Sequence, residues 1–388
     1  MVRMPGVIER NEYLRRITSR MEDYPVVALL GARQVGKTTL ARQFMAGRSA
    51  RYFDLESAAA QDVLRHPAAV IEPLQGLVVI DEAQRMPELF PLLRVWADRR
   101  PLPARFLVLG SVSPWVLRGV TESLAGRVSF VDVAALGLRE VGAGEFRRLW
   151  WRGGFPVPYL AGTEERAWQW QEDFERTVIE RDLAQFGVSE SPGVMRRFWA
   201  MVAHHHGQVW NSSEIGRSLG VTEKTARRYL DALAGIFMVR ILPPWFENLG
   251  KRQVKAPKVY IRDSGMLHGL LRVASHERLE EHPKLGASWE GFAMVQVLQI
   301  TGDRDAYFWA THGGAELDLL VNWKGLRLGF EFKFADAPGV TRSMHVALED
   351  LKLDRLIVVV PGAESYDLGP KVEVASILHV ADRLGALA

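Results

Sequence analysis

Short runs made almost wholly of apolar residues punctuate the first third of the chain, each bounded by glycine or acid. Val26–Leu30 runs into Gly31, and Leu77–Ile80 runs into Asp81-Glu82. Arg105–Leu109 closes on Gly110-Ser111, and Val128–Val133 follows Leu124-Ala125-Gly126-Arg127. A strand covered on both faces reads this way, without the alternation of a half-exposed sheet. Between the first two runs, Thr39-Leu40-Ala41-Arg42-Gln43-Phe44 is helix-forming. Residues 1–140 are therefore expected to form an α/β unit around a parallel sheet.

The period then changes. Over 141–190, Trp168, Phe174, Val178 and Leu183 recur roughly every turn, which predicts a packed helical lid. Over 191–262, Val194–Ala203 predicts one helix, and Ser212 or Ser213 is placed to cap a second that runs through Leu219 to the Gly220 turn. Thr222 caps a third, Glu223–Leu233, with Ala226, Leu230 and Leu233 on its apolar face. Phe237–Leu242 and Lys251–Lys258 are the expected strands and wing of a winged helix. Over 263–388, Ala287–Ile300 reads as an amphipathic helix and Ala306–Ala310 and Ala315–Val321 as strands. Leu326–Phe334 alternates with period two, with Phe330, Phe332 and Phe334 on one face and Glu331 and Lys333 on the other.

The length of 388 residues agrees with several domains rather than one core. Apolar residues make up 48% and charged residues 24%, as in a soluble globular protein. No apolar run approaches the span of a bilayer, and residues 1–20 are charged and broken by Pro5 and Gly6, so a cytoplasmic protein with no membrane association is expected. With no cysteine, the chain has no disulfide, thiolate zinc site or cysteine nucleophile. The net charge of +3 hides an uneven distribution: residues 191–262 carry a net +8 and the remainder a net −5. A positive segment inside a negative chain suggests a polyanion partner.

The chemistry begins at Gly31-Ala32-Arg33-Gln34-Val35-Gly36-Lys37-Thr38, a G-x-x-x-x-G-K-T loop between strand and helix. Its backbone N–H groups, from Gln34, Val35 and Gly36 to Thr39, can cradle phosphates at a helix N-terminus. Lys37 would reach the β- and γ-phosphates of ATP, and Thr38 would bind Mg²⁺. Asp81, at the carboxyl end of its buried strand, would hold the same ion through water, and Glu82 would orient or deprotonate the attacking water. Ser111 is placed to bond the γ-phosphate or the water. Arg127 is the candidate arginine finger toward a neighbouring subunit, with Arg118 as competitor.

In the middle segment, Lys224, Thr225, Arg227 and Arg228 line the polar face of the third helix. Lys251, Arg252, Lys255 and Lys258 would add wing contacts to DNA phosphates, making affinity fall with salt. His204-His205-His206 has no further ligands at useful spacing and reads as a helix end, not a metal site.

The Arg33-Gln34 pair, Asp81-Glu82-Ala83-Gln84, Leu124-Ala125-Gly126-Arg127 and Gly153-Gly154-Phe155-Pro156 together resemble a bacterial and archaeal group of AAA+ P-loop ATPases whose C-terminal region is of unknown function. The resemblance runs from about residue 8 to 380. It implies an AAA+ core with ATP at subunit interfaces of an oligomeric, hexameric ring, Arg127 as the finger, and Pro156 as a lid residue touching the nucleotide. Ser111-Val112-Ser113 departs from the run of serines frequent in that group. Asp318, Glu331 and Lys333, with Glu290 on the preceding helix, resemble the PD-(D/E)xK nuclease core, in which the carboxylates hold Mg²⁺.

The expected architecture is α/β throughout: P-loop core (1–140), helical lid (141–190), winged helix (191–262) and restriction-endonuclease-like domain (263–388). The expected function is an ATP-hydrolysing protein that remodels or translocates on DNA, with branched DNA or junctions preferred, as in repair or recombination. The alternatives are a nucleotide-dependent switch acting on protein partners and an ATP-regulated Mg²⁺-dependent nuclease.

Overall fold

A computed structural model describes residues 7–113, 124–188, 190–247, 250 and 252–387; Arg118 and Lys251 lie outside the described residues. The chain divides into two compact units, Met1–Ala135 with Gly235–Phe237, and Leu136–Ala234 with Met238–Ala388.

The first unit is built on five parallel strands: β1 (Val26–Leu30), β2 (Ala50–Asp54), β3 (Gly76–Asp81), β4 (Ala104–Gly110) and β5 (Val128–Asp132). Their order is β2-β3-β4-β1-β5, so the strand entering the glycine-rich loop lies between β4 and β5. Every residue of β1 is buried, as its unbroken apolar run requires. On one face, Val78, Ile80, Phe106 and Val108 pack against Leu89, Phe90, Leu93 and Trp96 of the helix Leu89–Ala97. The register sets the carboxyl ends of β1, β3 and β4 side by side, with Leu30 opposite Gly110 and Ile80 opposite Val108.

The second unit holds two sheets. The smaller comprises β6 (Gln208–Val209), β7 (Val239–Leu242) and β8 (Lys258–Ile261), antiparallel in the order β6-β8-β7. It accompanies the helices Pro192–His204, Ser212–Leu219 and Glu223–Gly235. Asn211, not a serine, caps the helix Ser212–Leu219 by accepting the Glu214 N–H, and Gly220 ends it in the left-handed region at φ 77°. The Ser212 hydroxyl is taken instead by the Trp210 indole N–H at 2.7 Å. Thr222 caps the next helix through the Thr225 N–H as expected.

The larger sheet has six strands: β9 (Ala306–Ala310), β10 (Glu316–Trp323), β11 (Leu326–Phe332), β12 (Arg355–Val360), β13 (Tyr366–Gly369) and β14 (Val372–Ser376). Its order is β13-β14-β12-β11-β10-β9, with β11, β12 and β14 parallel. The helix Leu285–Thr301 precedes it, and Arg342–Asp350 lies between β11 and β12.

The connection between β7 and β8, where the wing is expected, pairs with a strand of the larger sheet. Described residues between β7 and β8 pair with β9: the Phe308 N–H donates to the Pro243 carbonyl and the Val254 N–H to the Ala310 carbonyl, both at 3.0 Å. The His312 N–H donates to the Arg252 carbonyl at 2.9 Å. The segment therefore satisfies the open edge of the six-stranded sheet, which would otherwise present unpaired backbone groups. Lys258, expected on the wing, begins β8 and is buried.

The Gly153-Gly154 turn is clamped by Asp263, which accepts the Gly154 N–H at 2.7 Å and the Met266 N–H at 2.9 Å. Burial pushes the Asp263 carboxyl up to about 6. Gly153 has φ 77°, and a Cβ there would fall 2.1 Å from an Asp263 oxygen, so only glycine fits. Pro156 opens the short helix Pro156–Leu160 directly after this turn. No helix among the described residues is long and apolar enough to cross a membrane.

Candidate functional site

The loop between β1 and the helix Lys37–Met45 gathers the residues of the first site. Gln34 and Gly36 take left-handed backbone, φ 60° and 98°, which turns the chain sharply into the helix. Gly31 lies so close to the Val133 carbonyl that a Cβ would sit 2.3 Å from its oxygen. Val35 is buried, while Gln34 and Thr39 are exposed. Arg10, which the sequence did not single out, braces the loop from behind by donating to the Val35 and Ala134 carbonyls at 3.4 and 2.9 Å.

Lys37 is buried and donates to the Gly31 and Ala32 carbonyls at 2.9 and 2.8 Å and to Ser111 Oγ at 3.0 Å. Ser111 Oγ in turn donates to Glu82 Oε1 at 2.9 Å, and Gln84 Nε2 donates to Glu82 Oε2. Lysine, serine and glutamate thus form one continuous chain from the loop to the ends of β3 and β4. Phosphate oxygens would take over the lysine donors that now rest on backbone carbonyls.

Thr38 Oγ1 donates to Asp81 Oδ2 at 2.7 Å. The same oxygen receives the Tyr52 hydroxyl at 2.8 Å, and Oδ1 accepts the Glu82 N–H at 2.9 Å. Burial and the bond to Asp81 hold the Tyr52 phenol above its ordinary range, so it remains a donor. Tyr52, in the middle of β2, is a site residue that sequence reasoning missed; its strand alternates too weakly to single it out. Thr38 beside Asp81 is the donor pair that a nucleotide-bound Mg²⁺ requires.

Arg127 stands apart from this cluster. Its guanidinium is held by Asp98 through two hydrogen bonds of 2.6 and 2.8 Å, a partly exposed bidentate pair.

The second cluster lies in the second unit, and it brings together all four residues expected there. Asp318 on β10 accepts the Phe332 N–H at 3.0 Å and lies 3.8 Å from Lys333. Lys333 pairs with Glu331 at 2.6 Å. Glu290, on the helix Leu285–Thr301, accepts the Tyr260 hydroxyl at 2.6 Å. Burial, followed by the nearby Asp318 carboxylate, raises both Glu290 and Glu331 well above the ordinary carboxylate range.

A fifth charged residue enters from β8. Lys258 Nζ is 3.6 Å from Glu290 and 3.9 Å from Asp318, and pairs closely with Glu316. Burial works against its charge, yet Glu290, Asp318 and Glu316 together hold its ammonium above the usual lysine range. The carboxylates are of the type that holds Mg²⁺, but Lys258 lies among them. Among the described residues, no three His, Asp or Glu side chains are arranged to hold a metal ion. The cluster as built does not fit a nuclease metal.

The basic middle segment is also less free than its charge suggests. Lys258 pairs with the acidic cluster, Arg240 and Arg262 pair with Asp303, and Arg196 pairs with Glu175, all partners outside residues 191–262. Lys224, Arg227 and Arg228 remain exposed on the helix Glu223–Gly235, with Thr225 half-buried, and Arg252 and Lys255 are exposed beyond β7. Arg227 makes an exposed pair with Asp231 one turn on, at 3.0 Å. Of the three histidines, His206 is buried and accepts the Ile261 N–H at 3.0 Å, and burial lowers it to about 3.

Three family models tile the chain. An AAA domain matches residues 23–142, and domains of unknown function, DUF8612 and DUF4143, match residues 143–277 and 285–380. Uncharacterized proteins of Mycobacterium tuberculosis and Mycobacterium bovis are each 47% identical over 368 residues, 94% of this chain and 83% of theirs. Among solved structures, a Walker-type ATPase of Pyrococcus abyssi is similar with TM-score 0.48 and 18% identity, over 68% of this chain and 96% of that one. The Aeropyrum pernix ORC1 protein, solved in complex with DNA, is similar with TM-score 0.32 and 13% identity, over 72% of this chain and 94% of that one.

Proposed function

The chain belongs to the same family as these two mycobacterial proteins and is an ATPase of the AAA type, and from that premise we propose that it couples ATP hydrolysis to work on DNA. ATP with Mg²⁺ is the proposed cofactor. Gly31 to Thr39 wrap the phosphates, with Lys37 on the β- and γ-oxygens. Thr38 and Asp81 hold the ion. Glu82, positioned by Ser111 and Gln84, aligns and deprotonates the attacking water. The observation that carries this reading is the unbroken chain Lys37–Ser111–Glu82, which joins the phosphate-binding and water-activating groups in one network.

The protein is proposed to act as a homo-oligomer, a hexameric ring, in which Arg127 leaves Asp98 to reach the nucleotide of a neighbour. Pro156 is retained as the proposed lid contact. The domain division 1–140, 141–190, 191–262 and 263–388 is retained as the functional reading of the chain.

The DNA reading rests on residues 192–261. Helix, strand, two helices and two strands, with sheet order β6-β8-β7, is the element order of a winged helix. The helix Glu223–Gly235 would be its recognition element, turning Lys224, Arg227 and Arg228 outward, with Arg252 and Lys255 on the connection that covers β9. In the C-terminal sheet, one helix, three strands, a helix and a fourth strand parallel to the third support a nuclease-like fold. Its proposed role is to grip branched or duplex DNA.

Steady-state ATP hydrolysis with duplex, single-stranded and four-way-junction DNA, at two salt concentrations, tests the proposal. Stimulation by a DNA form that weakens with salt is expected. Hydrolysis indifferent to every DNA refutes it in favour of a switch acting on protein partners.

A further inference from the structure

The acidic cluster of the six-stranded sheet already contains a cation. Lys258 belongs to β8, which pairs with β6 and β7, yet its ammonium reaches out of that small sheet to Glu290, Glu316 and Asp318. Those carboxylates come from the helix Leu285–Thr301 and from β10.

Two lysines touch Asp318, and they differ in a way that matters. Lys333, on the chain just past β11, has 38% of its side chain exposed. It can swing toward water without disturbing the sheet. Lys258 is 4% exposed, with its ammonium 5.6 Å from the centre of the Phe308 ring. Its strand is held by backbone pairing on both sides, Lys258 itself standing opposite Leu242 and Val209. Lys258 is thus anchored at both ends, by its strand pairing and by the carboxylates its ammonium meets.

A divalent ion bound by oxygen ligands needs them at about 2.0–2.6 Å, converging on one point. Here the Glu290 and Asp318 oxygens converge on the Lys258 nitrogen instead, at 3.6 and 3.9 Å, the spacing of an ion pair. A metal at that point would have to displace the Lys258 ammonium, a positive charge these same carboxylates already hold.

We infer that Lys258 takes the place of the divalent cation in this site, making the cluster a metal-free ion-pair centre that ties β8 to the six-stranded sheet. The C-terminal domain then holds DNA without cutting it. The inference deepens the nuclease-like reading of that domain and does not depend on whether DNA stimulates the ATPase.

Free Mn²⁺, followed by electron paramagnetic resonance during titration of the nucleotide-free full-length protein, tests it. Any weak uptake at the ATP site is common to all variants and cancels. Wild type, Asp318→Asn and Glu331→Gln are expected to give superimposable curves. Lys258→Met is expected to gain one Mn²⁺ per chain, and Lys258→Met with Asp318→Asn to lose it again. A wild-type ion that vanishes in Asp318→Asn or Glu331→Gln overturns the inference. So does a folded Lys258→Met that gains no Asp318-dependent ion. If circular dichroism shows Lys258→Met unfolded, the wild-type comparison with the two carboxylate variants decides alone.

Discussion

Replacing Glu82 by glutamine changes one atom of the proposed water-activating group while keeping its shape. In the wild type, Glu82 Oε1 accepts from Ser111 and Oε2 from Gln84. The glutamine carbonyl can still accept from Gln84, and its amide can donate to Ser111 Oγ, whose own hydrogen turns elsewhere. The hydroxyl then accepts from both Lys37 and the new amide, within the capacity of two lone pairs. The loop, Lys37 and the Thr38–Asp81 pair are therefore left in place, and ATP affinity is expected to stay within a few-fold of wild type. What is lost is the base: about 10²- to 10⁴-fold in turnover, or about 3–5 kcal/mol of barrier. The assay pairs steady-state phosphate release with equilibrium binding of a fluorescent ATP analogue. Turnover within a few-fold of wild type, with binding intact, refutes the assignment. A parallel loss of binding would instead mean that the Ser111 bridge does not survive the change.

Three other outcomes are expected. Arg127→Ala lowers turnover of the assembled protein by about 10³-fold or more, as removal of an arginine finger does, whereas Asp98→Ala, which only releases the arginine, retains it; equal turnover in Arg127→Ala and wild type removes the finger. Arg228→Ala weakens duplex binding and lowers the slope of log affinity against log salt by about one; an unchanged slope takes that helix face off the DNA. His268 is buried, donates through Nδ1 to the Trp151 carbonyl and accepts from Ser288 through Nε2, and burial lowers it to about 4 from 6.5. Its folded form stays neutral where the unfolded form takes up a proton, so its contribution is complete above pH 6.5 and is lost as pH falls toward 4, about 3 kcal/mol in all. The drop in melting temperature between pH 7 and pH 5 is therefore expected to be smaller in His268→Gln; identical drops would show that His268 carries none of it.

What was legible in the sequence was whatever is local. Gly31 to Thr38 carries its meaning within one loop, and the apolar runs before Asp81 and Ser111 place those residues at strand ends without knowledge of the sheet. Glu331 and Lys333 were readable because alternation fixes which side chains share a face. What escaped was contributed from elsewhere in the chain. Lys258 looked like one more basic residue in a basic segment, and its partners follow it by 32 residues or more along the chain. The net +8 of residues 191–262 misled for the same reason: Arg196, Arg240, Lys258 and Arg262 are matched by acids outside that window. Tyr52 and Arg10 reach the ATP site from positions whose sequence neighbourhood carries no motif.

The strip formed by the described residues between β7 and β8 has a consequence for how this protein can be divided. It originates beside β7, before the boundary at residue 285 where the C-terminal family model begins, yet it covers β9. A fragment starting at that boundary would expose a row of unpaired N–H and C=O groups along Ala306–Ala310, a ready template for pairing with another molecule. It would also carry Glu290, Glu316 and Asp318 without the lysine that sits among them. Such a fragment is expected to aggregate rather than to fold. A gene rearrangement that transplanted the last hundred residues alone would meet the same fate, so these two segments are heritable as a pair, stitched by a strip that belongs to one and protects the other.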